Sequence, residues 1–497
     1  MANRASTARK AVANRDMAMR RPVPDDRSAS MDDDQLQLRL SCPQCGNALA
    51  PPAESLLEQE GLPQLSCQTC KSNYPTFACG DAAIPWMYPD PDLAHLEWSA
   101  RFKGFLQAAT NEHNGLNHSL GEASLTDTGR RRISSTLIAK REHRRQVADL
   151  LAPFNLDADV MVPAMTELLA DSLPRNQHLL SYADNVFRDW AWNNGENAAL
   201  MNGIEGLFAA DSRDSLGSVL TLGAGAGRLA YDVHQQFSPE LSVLLDLNPL
   251  LLSVGARIIQ GQRVSLYEFP IAPLDEDSGA ILQKCTAPKH IGLGGAGNFR
   301  FVLGDATCPP FAEGSFDTVI TPWLIDILPQ DLREFVPHLN RLLPEGGLWV
   351  NTGSLNFVHD NPCRRYSEKE TMELVEQCGF EIVGIDHRTV SYLKSPHSAH
   401  GRSERITSFT ARKRRDVAKS ESTASTPEWM QDTSLSVPVS PETSIASSSH
   451  LLTAQVLAAV DGKRSINAIT KLVSREYNLS FEECSLAVRR ILLGIQK

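Results

Sequence analysis

"SVLTLGAGAGRLAYDVHQQFSPELSVLLDLN", Ser218 to Asn248, reads as a strand, a glycine turn, a helix and a second strand that ends in an acid. Such a unit holds a nucleoside-bearing cofactor, because glycines let backbone approach the ligand and adopt positive φ. Gly223, Gly225 and Gly227, followed by Arg228, form Gly-x-Gly-x-Gly-Arg rather than the dinucleotide pattern Gly-x-Gly-x-x-Gly. Asp246 closes the second strand, where a carboxylate can accept both ribose hydroxyls. That spacing fits NAD(P) and S-adenosylmethionine alike.

Outward from this unit the chain alternates. Further strands are expected at Arg300–Asp305, Ser315–Ile325, Gly346–Gly353, Phe380–Val390 and Ile406–Lys413, beside Ser218–Leu222 and Ser242–Asp246. Helical segments are expected between the first six, one of them opened by a Ser367/Glu370 capping box. The pattern predicts an α/β fold with a doubly wound, Rossmann-like sheet of seven strands. Gln262 to Phe299 reads as an insertion of undetermined form.

Two later features separate the cofactors. "GDA" puts Asp305 at the end of the third strand, placed to accept from an adenine amino group, and "GFEIVG…ITSFTARK" reads as a C-terminal hairpin. Both features, with "DLNPLLLSVGARI", resemble class I methyltransferases. That resemblance implies S-adenosylmethionine as the cofactor.

More specific blocks follow in order: "YADNVFRDWAWNNGENAAL", "TPWLIDI", "LLPEGGLWVNTGSLNF" and "SYLKSPHSAHGRSERITSFTARK". From Tyr182 to Lys413 they resemble the carnosine N-methyltransferase family. The resemblance implies an acid after the fourth strand, here Asp326, that contacts the imidazole of a histidyl dipeptide. The chemistry is coherent by itself. Methyl transfer from a sulfonium needs an in-line neutral nitrogen lone pair, and imidazole, with a reference pKa of ~6.5, is largely neutral at pH 7. A carboxylate gripping one ring N–H fixes the tautomer and turns the other nitrogen to the methyl. Asp326 can also be read as a cap for the helix beginning near "LPQDLREF". The resemblance further implies Tyr392 as a wall of the substrate pocket; an ordinary strand tyrosine is the other reading. It implies His359 through a one-residue shift, with Ser354 standing where the family has proline. Arg188 and Asp189 either orient the cofactor carboxylate or form a structural ion pair.

Before this domain, Cys42-Pro-Gln-Cys45 and Cys67-Gln-Thr-Cys70 form two CxxC knuckles 21 residues apart. Such knuckles close a tetrahedral thiolate site suited to Zn²⁺, and four thiolates leave no position open for substrate. The expected metal is structural. With "YPTFACGDAAIPWMYPDPD" the stretch from Ser41 to Pro91 resembles the zinc-ribbon activators of tRNA and protein methyltransferases, which implies a brace for the catalytic domain.

The last segment, "LLTAQVLAAVDGKRSINAITKLVSREYNLS", resembles the helical part of PqqD-like domains, which recognise leader peptides. Asp461, Gly462 and a face of Ile466, Ile469 and Leu472 carry the match; a small helical or winged-helix unit for protein contact is the alternative. The organisation expected is therefore a disordered basic tail (1–40), a zinc ribbon (41–91), a helical connection (92–181), the methyltransferase domain (182–413), a Ser/Thr/Pro-rich linker (414–449) and the PqqD-like module (450–497).

Totals narrow the function. A chain of 497 residues exceeds the ~150 of one average domain. A net charge of −11 argues against broad phosphate-backbone binding, and hence against nucleic acid as a partner. No apolar run reaches the ~18 residues of a membrane span. Ten cysteines, six of them scattered, suit a reducing compartment, and the cytoplasm is the expected location. The Arg- and Ala-rich first 30 residues read as a disordered tail, with a cleaved transit peptide as the alternative. The expected reaction is methylation of nitrogen in a histidine-bearing small molecule, dipeptide or peptide. Alternatives are a precursor peptide recruited by the tail, RNA or a translation factor, and a non-catalytic scaffold.

Overall fold

The computed structural model describes residues 36–50, 64–157, 177–211, 215–291, 298–359, 361–418, 436, 441–477 and 480–495. Most of the basic tail, the middle of the ribbon, residues 158–176 of the helical connection and most of the linker lie outside them. The chain divides into two compact units, Met1–Ser420 and Glu421–Lys497.

The first unit opens with a three-stranded ribbon sheet: β1 (Leu49–Ala50), β2 (Leu65–Cys67) and β3 (Asn73–Tyr74), in the order β1-β2-β3. Next come β4 (Thr76–Cys79), β5 (Ala82–Met87) and two long helices, α1 (Pro91–Ser119) and α2 (Asp127–Leu151). Helix α1 starts where Asp90 accepts the Leu93 N–H at 2.9 Å and a proline occupies the first turn, whose N–H would have no partner anyway. Then follow α3 (Ala183–Trp190), α4 (Glu196–Asp211), β6 (Ser218–Leu222), α5 (Arg228–Phe237), β7 (Leu241–Asp246) and α6 (Pro249–Ile259). The insertion after Gln262 is an antiparallel hairpin of β8 (Val264–Glu268) and β9 (Ile281–Cys285). It is tied down by buried Glu268, whose Oε2 accepts from Trp192 Nε1 at 2.9 Å and Gln283 Nε2 at 2.6 Å. The rest is β10 (Phe299–Gly304), β11 (Thr318–Pro322), α7 (Leu332–Leu342), β12 (Leu348–Gly353), α8 (Glu368–Gln377), β13 (Phe380–Tyr392) and β14 (Arg402–Lys413).

The central sheet has nine strands, not seven, in the order β13-β14-β12-β11-β6-β7-β10-β5-β4. All seven expected strands are present, and β13 and β14 pair antiparallel as the expected hairpin. The two extra strands come from the segment after the ribbon: β5 runs parallel to β10, and β4 pairs antiparallel with β5. A helix was also expected between β10 and β11. The loop there contains Pro309 and Pro310, which cannot donate backbone N–H, and it takes up the ribbon instead. Ser41 N–H donates to Pro310 O at 2.9 Å, Cys308 Sγ to Pro43 O at 3.1 Å, and Leu40 bridges Phe311.

Helix α6 is apolar all round, "PLLLSVGARII", and ten of its eleven residues are buried. A helix with that composition must be covered on every side, and here the sheet takes one face and α2 the other. Asn248 caps it by accepting the Leu250 N–H at 2.9 Å. The same core holds Trp86, Tyr88, Trp98 and Phe154, each fully buried, a contribution of roughly 1.5–3 kcal/mol per large apolar side chain.

The second unit is helical in its described residues: α9 (Pro441–Ala458), α10 (Ile466–Tyr477) and α11 (Phe481–Ile495). Helix α9 begins inside the stretch read as linker, with Pro441 at its first position, where the fixed φ suits a helix. The core is Val456, Ala459, Ile469, Val473, Cys484 and Val488. Of the expected face only Ile469 is buried; Ile466 and Leu472 are exposed, because the inward side of α10 runs through Ile469, Thr470 and Val473. Among the described residues of this unit there is no strand, so neither a wing nor a peptide-pairing edge is present there. No described helix is long and apolar enough to cross a membrane.

Candidate active site

The parallel strands point their C-terminal ends at a cavity of about 470 Å³. On one side lies the glycine turn between β6 and α5. Gly225 has φ +58°, a conformation that strains an L-residue, and a Cβ added there meets no atom within 4 Å, so the turn presents open backbone to the cavity. Gly223, φ +67°, is strained for any side chain, and a Cβ there would come 2.8 Å from a Leu324 methyl, which would have to shift. At the end of β7, Asp246 Oδ2 accepts the Gly225 N–H at 2.7 Å and Oδ1 accepts the Asn248 N–H at 2.8 Å. Burial pushes the Asp246 carboxyl above its ordinary value, and these two donors oppose the shift. Asp305, directly after β10, also lines the cavity and accepts the Thr307 N–H at 2.8 Å.

Arg188 on α3 forms the structural ion pair of the second reading and also lines the cavity. Its Nε pairs with Asp189 Oδ1 at 2.8 Å, which is a structural ion pair. Its Nη1 forms an ion pair with buried Glu196 Oε1 at 3.6 Å, too long for a hydrogen bond. Arg228 and Gly227 play another part. Arg228 Nε pairs with Asp232 at 2.8 Å, its Nη1 donates to Asp189 O at 2.7 Å, and its guanidinium stacks over Trp190 at 5.4 Å. Neither residue is on the cavity wall.

Across the cavity, Asp326 lies on the loop after β11. Its Oδ2 accepts from Ser354 Oγ at 2.5 Å and from the Asn356 N–H at 3.1 Å, and burial raises its carboxyl above the ordinary value. Asp326 is not a helix cap. Helix α7 is capped by Asp331, which accepts the Arg333 N–H at 2.9 Å. Tyr392, at the end of β13, joins the same wall with its ring 4.7 Å from Trp323 and the Arg402 guanidinium 4.4 Å above it. His359 does not reach the cavity wall. Its Nδ1 accepts the Asn361 N–H at 2.9 Å and its carbonyl accepts Arg365 Nε at 2.6 Å, holding it in its own loop.

The wall also holds residues that the sequence reading passed over: Tyr182, Trp323, Asn356, Arg402 and Glu404. Trp323 sits inside the quoted "TPWLIDI" block. Arg402 and Glu404 fall outside the strand expected from Ile406, yet β14 starts at Arg402, directly opposite Tyr392.

In the ribbon, the sulfurs of Cys42, Cys45, Cys67 and Cys70 all lie within 4.8 Å of one another. Cys42 and Cys70 are 3.4 Å apart, Cys45 and Cys67 3.5 Å. Four thiolates at ~2.3 Å from a common centre stand about 3.8 Å from each other, so the cluster fits one tetrahedral ion.

No curated protein matches the sequence. Solved structures align with the chain only at low similarity. A methyltransferase from Bacillus halodurans is 16% identical with a TM-score of 0.30, covering 45% of this chain and 100% of that one. Phosphoethanolamine N-methyltransferase 2 of Haemonchus contortus, in complex with S-adenosyl-L-methionine, is 14% identical with a TM-score of 0.30, covering 49% and 62%. The complex of the Haloferax volcanii Trm112 methyltransferase activator with a methyltransferase gives 12% identity and a TM-score of 0.31, covering 48% and 97%. Likenesses this distant speak to neither acceptor nor mechanism. The family model for carnosine N-methyltransferase matches residues 172–415, just under half of the chain, which include the glycine turn, Asp246, Asp305, Asp326 and Tyr392. The catalytic domain of this chain is thus an S-adenosylmethionine-dependent methyltransferase, similar over residues 172–415 to the carnosine N-methyltransferase family.

Proposed function

We propose that the enzyme transfers the methyl group of S-adenosylmethionine to an imidazole nitrogen of a histidine-containing small molecule, dipeptide or peptide. One observation carries this reading. Asp326 lines the same cavity as Asp246 and Asp305, and both its donors, Ser354 Oγ and Asn356 N–H, go to Oδ2. A carboxylate held in that way keeps capacity to accept one ring N–H. Gripping that proton fixes the acceptor's tautomer, and the opposite nitrogen keeps its lone pair for the methyl. Positioning of this kind accounts for much of the rate, because the reaction needs an in-line approach rather than strong base catalysis. Tyr392 and Trp323 supply two aromatic rings, tilted 56° to each other, against which an imidazole ring could pack.

The cofactor side fits the same reading. Asp246 would accept the ribose hydroxyls, Asp305 the adenine amino group, and the cavity-lining Arg188 guanidinium would meet the carboxylate, while Gly223 and Gly225 admit the ligand against backbone. Bound there, S-adenosylmethionine supplies a methyl group activated by its sulfonium. The four ribbon cysteines are read as a structural Zn²⁺ site, a closed shell that takes no part in the chemistry.

The test is formation of S-adenosylhomocysteine by the purified chain with histidine, β-alanyl-histidine and histidine-containing peptides, beside Asp326→Ala. Turnover on an imidazole acceptor that is lost in the variant is the expected result. Cofactor binding without turnover on any of these acceptors would refute the acceptor assignment.

A further inference from the structure

Strand β5 ends against both loops that carry the cofactor carboxylates. Its parallel register with β10 sets Trp86 opposite Leu303 and Met87 opposite Gly304, and a Cβ on Gly304 would come within 2.9 Å of Met87 O. Asp305 is the next residue. One position past Met87, Tyr88 is fully buried with its ring 4.8 Å from that of Trp86. Its hydroxyl donates to the carbonyl of Leu247 at 2.5 Å. That carbonyl belongs to the peptide unit whose other end, the Asn248 N–H, donates to Asp246 Oδ1 at 2.8 Å. A peptide unit is planar and rigid, so fixing the direction of its C=O fixes the direction of its N–H. Burial keeps the Tyr88 phenol protonated, and hence a donor, across the working pH range.

From this chain of contacts we infer that Tyr88 is a positioning residue for the cofactor: through the Leu247–Asn248 peptide it orients the Asp246 carboxylate. The segment between the ribbon and the first long helix is then a working part of the cofactor site. The inference rests on reading Asp246 as the ribose-binding carboxylate.

The test uses the full chain with Tyr88→Phe, which removes one oxygen, and Trp86→Phe, which removes packing from the same cluster and leaves the hydroxyl. Expected for Tyr88→Phe is a five- to twentyfold weaker Kd for S-adenosylhomocysteine by calorimetry and a matching rise in KM for S-adenosylmethionine. The KM for the acceptor and kcat at saturating cofactor stay within about twofold. Trp86→Phe is expected to lower the thermal midpoint with the cofactor Kd unchanged. A folded Tyr88→Phe that binds S-adenosylhomocysteine as the unsubstituted chain does would overturn the inference alone. Failure of the unsubstituted chain to bind it would overturn the cofactor reading and the inference together. A measurement independent of any variant is amide exchange: saturating S-adenosylhomocysteine is expected to slow exchange in residues 82–88 as well as 245–249, and no change in 82–88 would also overturn it.

Discussion

Asp326 and Ser354 are joined by a 2.5 Å hydrogen bond, Oγ to Oδ2, between the loops that follow two neighbouring parallel strands, β11 and β12. The bond sets the carboxylate's direction from a neighbouring strand end. Asp326→Asn is expected to lower kcat/KM for the imidazole acceptor by about a hundredfold or more, the range that misplacement of a reacting group commands. Ser354→Ala, which removes one hydrogen bond of ~1 kcal/mol, is expected to lower it about three- to tenfold. Steady-state kinetics with both variants at saturating cofactor check the order.

The pH dependence has a definite sign. With the proposed imidazole acceptor, which must be neutral to attack, the rate is expected to fall as pH drops through the imidazole pKa of about 6.5. Asp326 must be ionised to accept the ring N–H, and burial raises its carboxyl, so its protonation adds to the fall on the same acid side. The log kcat/KM profile is expected to steepen from slope one towards slope two at low pH, and Asp326→Asn is expected to keep slope one throughout.

Gly225→Ala separates strain from occlusion. Nothing lies within 4 Å of the added Cβ, so stability should fall only by the ~1–2 kcal/mol that a left-handed residue costs. The methyl group, however, occupies cofactor space. A tenfold or greater loss of S-adenosylhomocysteine affinity is expected by calorimetry, with a loss in thermal midpoint of only a few degrees.

Asp331 is a stability device. Despite burial, which pushes its carboxyl up, hydrogen bonds from Arg333 and Tyr366 hold it down at about 2, against an ordinary 3.8. A depressed carboxyl stabilises the fold above its unfolded pKa and loses that contribution as pH falls through the folded one. The window here is between pH 3.8 and about 2. Asp331→Ala also removes the cap of α7, and a cost of roughly 1–3 kcal/mol is expected at neutral pH. Denaturant melts at pH 7 and at pH 2.5 are expected to show the difference shrinking at the lower pH.

The ribbon site predicts one zinc per chain by elemental analysis and its loss in Cys42→Ser. Because Ser41 and Pro43 hold the loop after Asp305, metal removal is expected to lower the thermal midpoint of the first unit by several degrees. An unchanged midpoint in metal-free protein would count against the bracing role.

The five strands β6, β7, β10, β11 and β12 were legible as short apolar runs bounded by turn residues, two of which lead into Asp246 and Asp305, while the longer, charge-bearing β13 and β14 were legible as a closing hairpin. The sheet's far edge was not. Pro85 lies inside β5, and proline ordinarily demotes a strand, yet pairing with β10 begins only at Trp86, one residue beyond it. Asp326, singled out from its block, lines the cavity, as do Arg402 and Glu404, which were passed over because polar residues at a hairpin end carry no apolar signal. His359 was misplaced since register by a shifted motif says nothing about where a loop turns, and Asn361 and Arg365 turn this one back on itself. In the tail helix, spacing of three favoured Ile466 and Leu472, while the core selects Ile469, Thr470 and Val473.

The central claim is that the methyl reaches an imidazole nitrogen. The most direct measurement is nuclear magnetic resonance of the products formed from S-adenosylmethionine labelled with ¹³C in its methyl group, using β-alanyl-histidine as the acceptor. The account predicts one labelled N-methyl signal correlated with the carbons of the imidazole ring. Cofactor consumed with the label on any other atom, or on no acceptor, would contradict it.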